Sequence, residues 1–131
     1  MIRGSCLCGG IKYQIHHQLG PIIYCHCQRC RKSSGSAFVT STEISRSDFE
    51  VTEGQDLIKR YPNPGSVDRF FCAHCGSQLY SQRETTPLIM RVRLGTLDDK
   101  ISEKVGAHIF VGSKAEWHEI LDDAIQHQER P

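Results

Sequence analysis

Apolar and polar residues alternate with a period of two in several short stretches, and no long helical stripe runs through the chain. Ile11, Tyr13 and Ile15 stand against Lys12, Gln14 and His16. Phe49 and Val51 stand against Glu50 and Thr52, and Leu57, Lys59 and Tyr61 share a face opposite Ile58. Residues 88–94 alternate apolar positions with Arg91 and Arg93. Each is the pattern of a half-buried strand. Shorter strand candidates lie at 22–24, 37–40, 67–71, 79–80 and 108–111. Gly20-Pro21, Glu53-Gly54, Pro62-Asn63-Pro64-Gly65-Ser66 and Asp98-Asp99-Lys100 supply the turns between them. Helical spacing occurs once near the end, at Trp117, Ile120, Leu121, Ala124 and Ile125, which predicts a short helix. Many short strands with close turns argue one mainly β domain over residues 1–131, built from antiparallel strands.

Composition narrows the partners. The chain is 38% hydrophobic and 24% charged, an ordinary globular balance. Its net charge of +1 lacks the basic excess that a nucleic-acid partner calls for. No apolar run approaches the ~20 residues of a membrane span. Met1-Ile2-Arg3-Gly4-Ser5 has no apolar secretory segment. A cytoplasmic protein with no membrane partner is therefore expected.

The seven cysteines change the picture. Persistent disulfides are disfavoured in a reducing compartment, so metal binding is the expected use. The cysteines form a pair (Cys6, Cys8), a triplet (Cys25, Cys27, Cys30) and a second pair (Cys72, Cys75). Two pairs and a triplet partition into one closed four-sulfur zinc site and one open three-sulfur site, two zinc ions per chain. Gly9, Gly10 and Gly76 follow the pairs and permit the tight turns of zinc-ribbon knuckles. A redox role for Cys72-Ala73-His74-Cys75 would need a helix behind its first cysteine, and a strand pattern follows instead.

The open triplet is the candidate catalytic centre. Zinc bound by Cys25, Cys27 and Cys30 keeps a fourth position for substrate, and a thiol entering it would be deprotonated. Arg29, Arg31 and Lys32 surround the motif and are candidates to hold an anionic substrate. The segment from Arg31 to Ser36 reads as a polar loop. In it Ser33-Ser34-Gly35-Ser36 either presents backbone N–H groups to a carboxylate or simply turns the chain. The rival is a closed structural site completed by His26, His74 or His108. Two of these, His26 and His74, lie inside knuckles and more simply point away from the metal. Trp117 and His108 either line a pocket or, more simply, are a core tryptophan and a surface histidine; Asp122-Asp123 and the Arg91/Arg93 pair read as solvated faces.

Gly4-Ser5-Cys6-Leu7-Cys8-Gly9-Gly10, Cys25-His26-Cys27-Gln28-Arg29-Cys30-Arg31 and Phe71-Cys72-Ala73-His74-Cys75-Gly76 together resemble the glutathione-dependent formaldehyde-activating enzyme family, the CENP-V/GFA domain. The resemblance extends through Gly95-Thr96-Leu97-Asp98-Asp99 and His108-Ile109-Phe110 to Trp117. It implies a small zinc-binding β fold like that of Rab exchange-factor-like proteins. It also implies structural zinc on Cys6, Cys8, Cys72 and Cys75, and catalytic zinc on Cys25, Cys27 and Cys30. The implied activity is carbon–sulfur lyase chemistry on a small thiol and a small aldehyde, with glutathione and formaldehyde as the founding pair. Arg31, Lys32, Ser34 and Gly35 are the expected substrate contacts. A zinc- and thiol-binding carrier without turnover, and an interaction module with two closed zinc sites, are the competing expectations.

Overall fold

The computed structural model describes all 131 residues. In chain order the strands are β1 (Ile2–Ser5), β2 (Lys12–Ile15), β3 (Ile22–Cys25), β4 (Val39–Ser45), β5 (Phe49–Glu53), β6 (Ile58–Tyr61), β7 (Asp68–Cys72), β8 (Gln78–Arg83), β9 (Thr86–Arg93), β10 (Val105–Ile109) and β11 (Ile125–Gln126). One α-helix, α1 (Gln28–Ser34), follows β3. The protein is mainly β, as the alternation predicts. Two compact units share the chain: Met1–Gly20 with Thr42–Ile101, and Pro21–Ser41 with Ser102–Pro131.

In the first unit, β1, β2 and β5 form an antiparallel sheet and β9-β8-β7-β6 an antiparallel meander. The alternation in β2 is realised directly: Tyr13 and Ile15 are buried and Lys12 is exposed. They join Ile11, Leu79, Met90 and Val92 in the core. Each such side chain contributes about 1.5–3 kcal/mol by leaving water. Aromatic rings continue this core, with Tyr13 and Phe49 centred 4.9 Å apart and Phe70 stacked on Tyr80 at 4.5 Å. The Tyr13 hydroxyl lies 2.6 Å from the Thr96 hydroxyl, which itself donates to the Arg93 carbonyl at 2.9 Å. Tyr13 is therefore the donor in the first bond.

Gly4 lies opposite Tyr13 in the β1–β2 register. A Cβ there would fall 2.1 Å from Cζ of the Tyr13 ring. Gly4→Ala is expected to destabilise the first unit by about 1–3 kcal/mol, the usual cost of overpacking. Chemical denaturation should show a lowered midpoint with an unchanged slope. A midpoint equal to wild type would mean that the ring moves aside freely.

The arginines of β9 depart from the solvated face expected of them. Arg91 pairs with Glu43 at 2.7 Å, and Arg93 is buried with its guanidinium near the Ser81 hydroxyl. The reason is that β9 has neighbours along its length, so its polar side chains are covered and find partners.

The second unit overturns the expectation of antiparallel strands throughout. There β3 pairs in parallel with β10, and β10 in parallel with β11. Tyr24 faces His108 and Cys25 faces Ile109 in that register. Parallel pairing between segments some eighty residues apart leaves no local turn signal to read. No helix forms around Trp117; it lies on a turn, Ile120, Leu121 and Ala124 on irregular chain, and Ile125 on β11. Trp117, Leu121 and Ile125 are 71%, 84% and 64% exposed, so no core face holds a helix there.

Candidate metal centres

Both knuckles of the first unit are built alike. The β1–β2 connection closes with the Gly9 amide donating to the Cys6 carbonyl at 3.0 Å, and the β7–β8 connection with the Gly76 amide donating to the Cys72 carbonyl at 2.8 Å. Gly9 and Gly76 have φ of +77° and +81°, a region that β-carbons disfavour. Each turn aims a backbone N–H at its first sulfur: Ile11 at Cys6 Sγ (3.3 Å) and Cys75 at Cys72 Sγ (3.4 Å). Leu7 N–H reaches across to the Ser77 hydroxyl at 2.8 Å and ties one knuckle to the other.

The sulfurs of Cys6, Cys8, Cys72 and Cys75 lie within 4.8 Å of one another, and none is in a disulfide. Cys6 and Cys8 are 3.5 Å apart, and Cys8 and Cys72 3.9 Å. A tetrahedron with zinc–sulfur bonds of about 2.3 Å has edges of about 3.8 Å. The donor set therefore fits a zinc ion. Hydrogen bonding to Ser77 draws the Cys75 thiol down to about 5, which favours the thiolate a metal needs.

The triplet belongs to the second unit. Cys25 ends β3, Cys27 is the N-cap of α1, and Cys30 lies in its first turn. Cys27 Sγ accepts the Cys30 amide at 3.3 Å, replacing the oxygen of a usual capping side chain. The three sulfurs also lie within 4.8 Å of one another. Cys25, then Cys30 and the local amides, drives the Cys27 thiol far down, while the same partnership drives Cys25 up.

Helix α1 corrects the expected loop at Arg31–Ser36. It ends on Gly35, whose left-handed backbone places its amide on the Arg31 carbonyl at 2.8 Å. Ser33 and Ser34 hydroxyls both donate to the Cys30 carbonyl, at 3.1 and 2.8 Å. Ser34 and Gly35 therefore finish a helix C-terminus, the end that presents carbonyls, and form no N–H cradle for a carboxylate. Arg31 donates to the Ser113 carbonyl at 3.1 Å, while Arg29 and Lys32 are exposed on α1. The helix was illegible because only Cys30 of its seven residues is buried, so no apolar period marks it.

The histidines proposed as a fourth ligand are placed otherwise. His26 is fully buried, and its Nε2 lies 2.8 Å from Nδ1 of His108. His108 is buried, not superficial, and its Nε2 lies 3.0 Å from both carboxylate oxygens of Asp122. Neither ring joins the sulfur triplet. His74 is exposed in its knuckle. Burial, then the charges of His108 and His118, push His26 down to about 4, so it is neutral. Against a desolvation that acts upward, the Ala124 amide and His108 hold the Asp122 carboxyl below its ordinary range. Asp122 is thus an exposed carboxylate that also partners a buried imidazole.

Aromatic rings surround His26. Phe38 is centred 5.0 Å from it, stacks on Tyr24 at 4.7 Å and meets His118 at 5.1 Å. His118 also lines a cleft of about 540 Å³ with Lys114, Trp117 and Ile120. Sequence reasoning gave no role to Phe38, His118 or Asp122. Only the parallel β3–β10 register brings His108 to this place, and no motif announces it.

Residues 1–113 match the family model described as glutathione-dependent formaldehyde-activating enzyme. The chain belongs to this family. An uncharacterized lyase of Schizosaccharomyces pombe is 29% identical over 78 residues, which is 60% of this chain and 55% of that protein. The chain thus spans about half the length of that curated relative. A crystal structure of a Rhodobacter sphaeroides protein superposes with a TM-score of 0.64 at 22% identity, covering 79% of this chain and 96% of that one. That likeness concerns the fold. No helix is long and apolar enough to cross a membrane.

Proposed function

We propose that the protein is a zinc-dependent carbon–sulfur lyase that makes or splits the adduct of a small thiol and a small aldehyde, with glutathione and formaldehyde as the first pair to test. The observation that carries this reading is a triplet of clustered sulfurs with no histidine or carboxylate among them. Four sulfurs fill a tetrahedron at the first cluster; three leave a position for an exogenous ligand at the second. Cys6, Cys8, Cys72 and Cys75 hold a structural ion, and Cys25, Cys27 and Cys30 hold the catalytic one. When bound, that ion supplies charge that keeps a thiol substrate as its thiolate.

The chain's own residues then position the reactants. In the forward direction the sulfur–carbon bond forms, the carbonyl π bond opens, and the proton lost from sulfur ends on the former carbonyl oxygen. In reverse, the carbon–sulfur bond breaks, the carbonyl π bond re-forms, and the hydroxyl proton ends on the departing sulfur. Exposed Arg29 and Lys32 on α1 offer cations to thiol carboxylates, whereas Arg31 is drawn to Ser113. The cleft beside His118 has the size of a small-molecule site and accepts the body of the thiol.

Zinc per chain and adduct exchange test this together. Two zincs are expected, one of them perturbed by saturating glutathione, with exchange between glutathione and its hydroxymethyl adduct faster than without protein. Thiol binding without faster exchange would make the protein a carrier. Two zincs indifferent to thiol would make the triplet a closed site.

A further inference from the structure

One face of the β7–β8–β9 meander gathers arginines around a single serine. Arg69 on β7 lies opposite Ser81 on β8, and Ser81 lies opposite Arg91 on β9. Residues directly opposite in an antiparallel sheet share a face, so the three form one row. Arg93 Nη1 reaches the same row and donates to the Ser81 hydroxyl at 3.4 Å. All four residues belong to the first unit.

The row is rich in donors and short of acceptors. Glu43 takes Nη2 of Arg91 at 2.7 Å, but Nη1 of that guanidinium is buried without a partner. Ser81 is 2% exposed; its oxygen accepts from Arg93, and its own proton reaches no acceptor. Arg69 is the extreme case. It is 6% exposed, its Nε is buried and unpartnered, and its guanidinium enters no ion pair. Asp68, next to it in sequence, points to the opposite face and is taken by Arg60 at 2.9 Å and the Asn63 amide at 3.0 Å. A guanidinium keeps its charge at any ordinary pH, and a buried charge without a counterion is strongly unfavourable. The row therefore calls for negative charge carried on several oxygens. A carboxylate is satisfied by one arginine fork, whereas a phosphate group has oxygens enough for donors arriving from several side chains.

We propose that the row Arg69–Ser81–Arg91 binds a phosphate group. Arg69 supplies the uncompensated charge, Ser81 donates its hydroxyl proton, and Nη1 of Arg91 donates from the far side. Arg93 holds the Ser81 hydroxyl, and Glu43 holds the other arm of Arg91. No cysteine takes part, so the site stands independently of the thiol–aldehyde reading.

Arg69→Met is the informative variant, since it keeps an unbranched apolar stem and removes the charge. Inorganic phosphate is the probe, titrated calorimetrically into zinc-loaded protein freed of loose metal, in chloride buffer of constant ionic strength. Wild type is expected to bind one phosphate per chain. Binding should weaken by more than about tenfold in Arg69→Met and by about tenfold in Ser81→Ala. Thermal melts give a reading that a merely structural arginine would not. Without phosphate, Arg69→Met should melt no lower than wild type, because it removes an unpaired buried charge. With saturating phosphate, wild type should rise and overtake it. A general salting-out effect would lift both proteins alike, and that result would overturn the proposal. So would no binding to wild type, equal binding to wild type and both variants, or acetate displacing phosphate at equal concentration. If Arg69→Met does not fold, the Ser81→Ala titration decides. Glycerol phosphate then identifies the source, and either result supports the site. Competition with inorganic phosphate means that the row takes the phosphoryl group of a larger ligand; no competition means that it takes the free ion.

Discussion

A Cys27→Ser protein is expected to fold, to retain one zinc per chain instead of two, and to lose adduct exchange by more than about a hundredfold. The fold should survive because the position needs a cap as well as a ligand. Cys27 Sγ accepts the Cys30 amide at the start of α1, and a serine hydroxyl is among the best groups for that task. The metal should not survive, since the remaining Cys25 and Cys30 leave only two sulfurs for a soft ion. Disturbing the neighbours of metal ligands already costs roughly ten- to a hundredfold, and removing a ligand outright costs more. Metal analysis, a thermal melt and an exchange assay on one preparation check all three parts. Full activity with one zinc would sink the catalytic role of the triplet. Loss of the cooperative melt would assign this site to folding instead.

The second large effect concerns the other cluster. Cys72→Ser, or a strong chelator applied to the intact protein, is expected to abolish the cooperative unfolding of the first unit at ordinary temperature. Cys72 is buried, and its sulfur meets both the Cys75 amide and Cys8. Structural zinc contributes about 10–16 kcal/mol of apparent folding free energy in small peptides. A whole domain is stable by only about 5–15 kcal/mol. The metal term is thus comparable to the entire stability, even after discounting for a core that includes Tyr13, Leu79 and Met90. Circular dichroism with and without chelator reads the outcome. A melting temperature lowered by only a few degrees would show that the core carries the fold unaided.

How much of this was legible depended on how local each signal is. The strand at Lys12–Ile15 was readable because its alternation and its burial coincide within four residues. Both knuckles were readable because cysteine spacing and a following glycine lie together. The partition into a tetrad and a triplet was also readable, and the geometry groups the sulfurs that way. Helix α1 was missed because its cap is a sulfur and its face is one residue wide. Spacing at Trp117 predicts a helix, but Trp117, Leu121 and Ile125 are exposed and supply no core face to hold one. His108 and Trp117 exchanged their expected places. Burial of a histidine is decided by an acceptor such as Asp122, fourteen residues away, and no local pattern records that pairing. Ser34 and Gly35 close the C-terminus of α1 and the Arg31 guanidinium reaches the Ser113 carbonyl, pairings that no local pattern announces.

The two sulfur clusters differ in how much chain they enclose. Cys25, Cys27 and Cys30 fall within six positions, whereas the tetrad joins Cys8 to Cys72 across 64. A ribosome adding about 5–20 residues per second needs roughly 2–9 seconds to pass from Cys30 to Cys75. During that interval the nascent chain already has every thiol of the triplet and only half of the tetrad. An ion at the triplet can be captured first, from a short peptide that closes almost no loop. An ion at the tetrad must wait, and it then closes a loop whose entropy grows with its length. In a cell short of zinc, the triplet would therefore load during synthesis and the tetrad only after Cys75 has emerged.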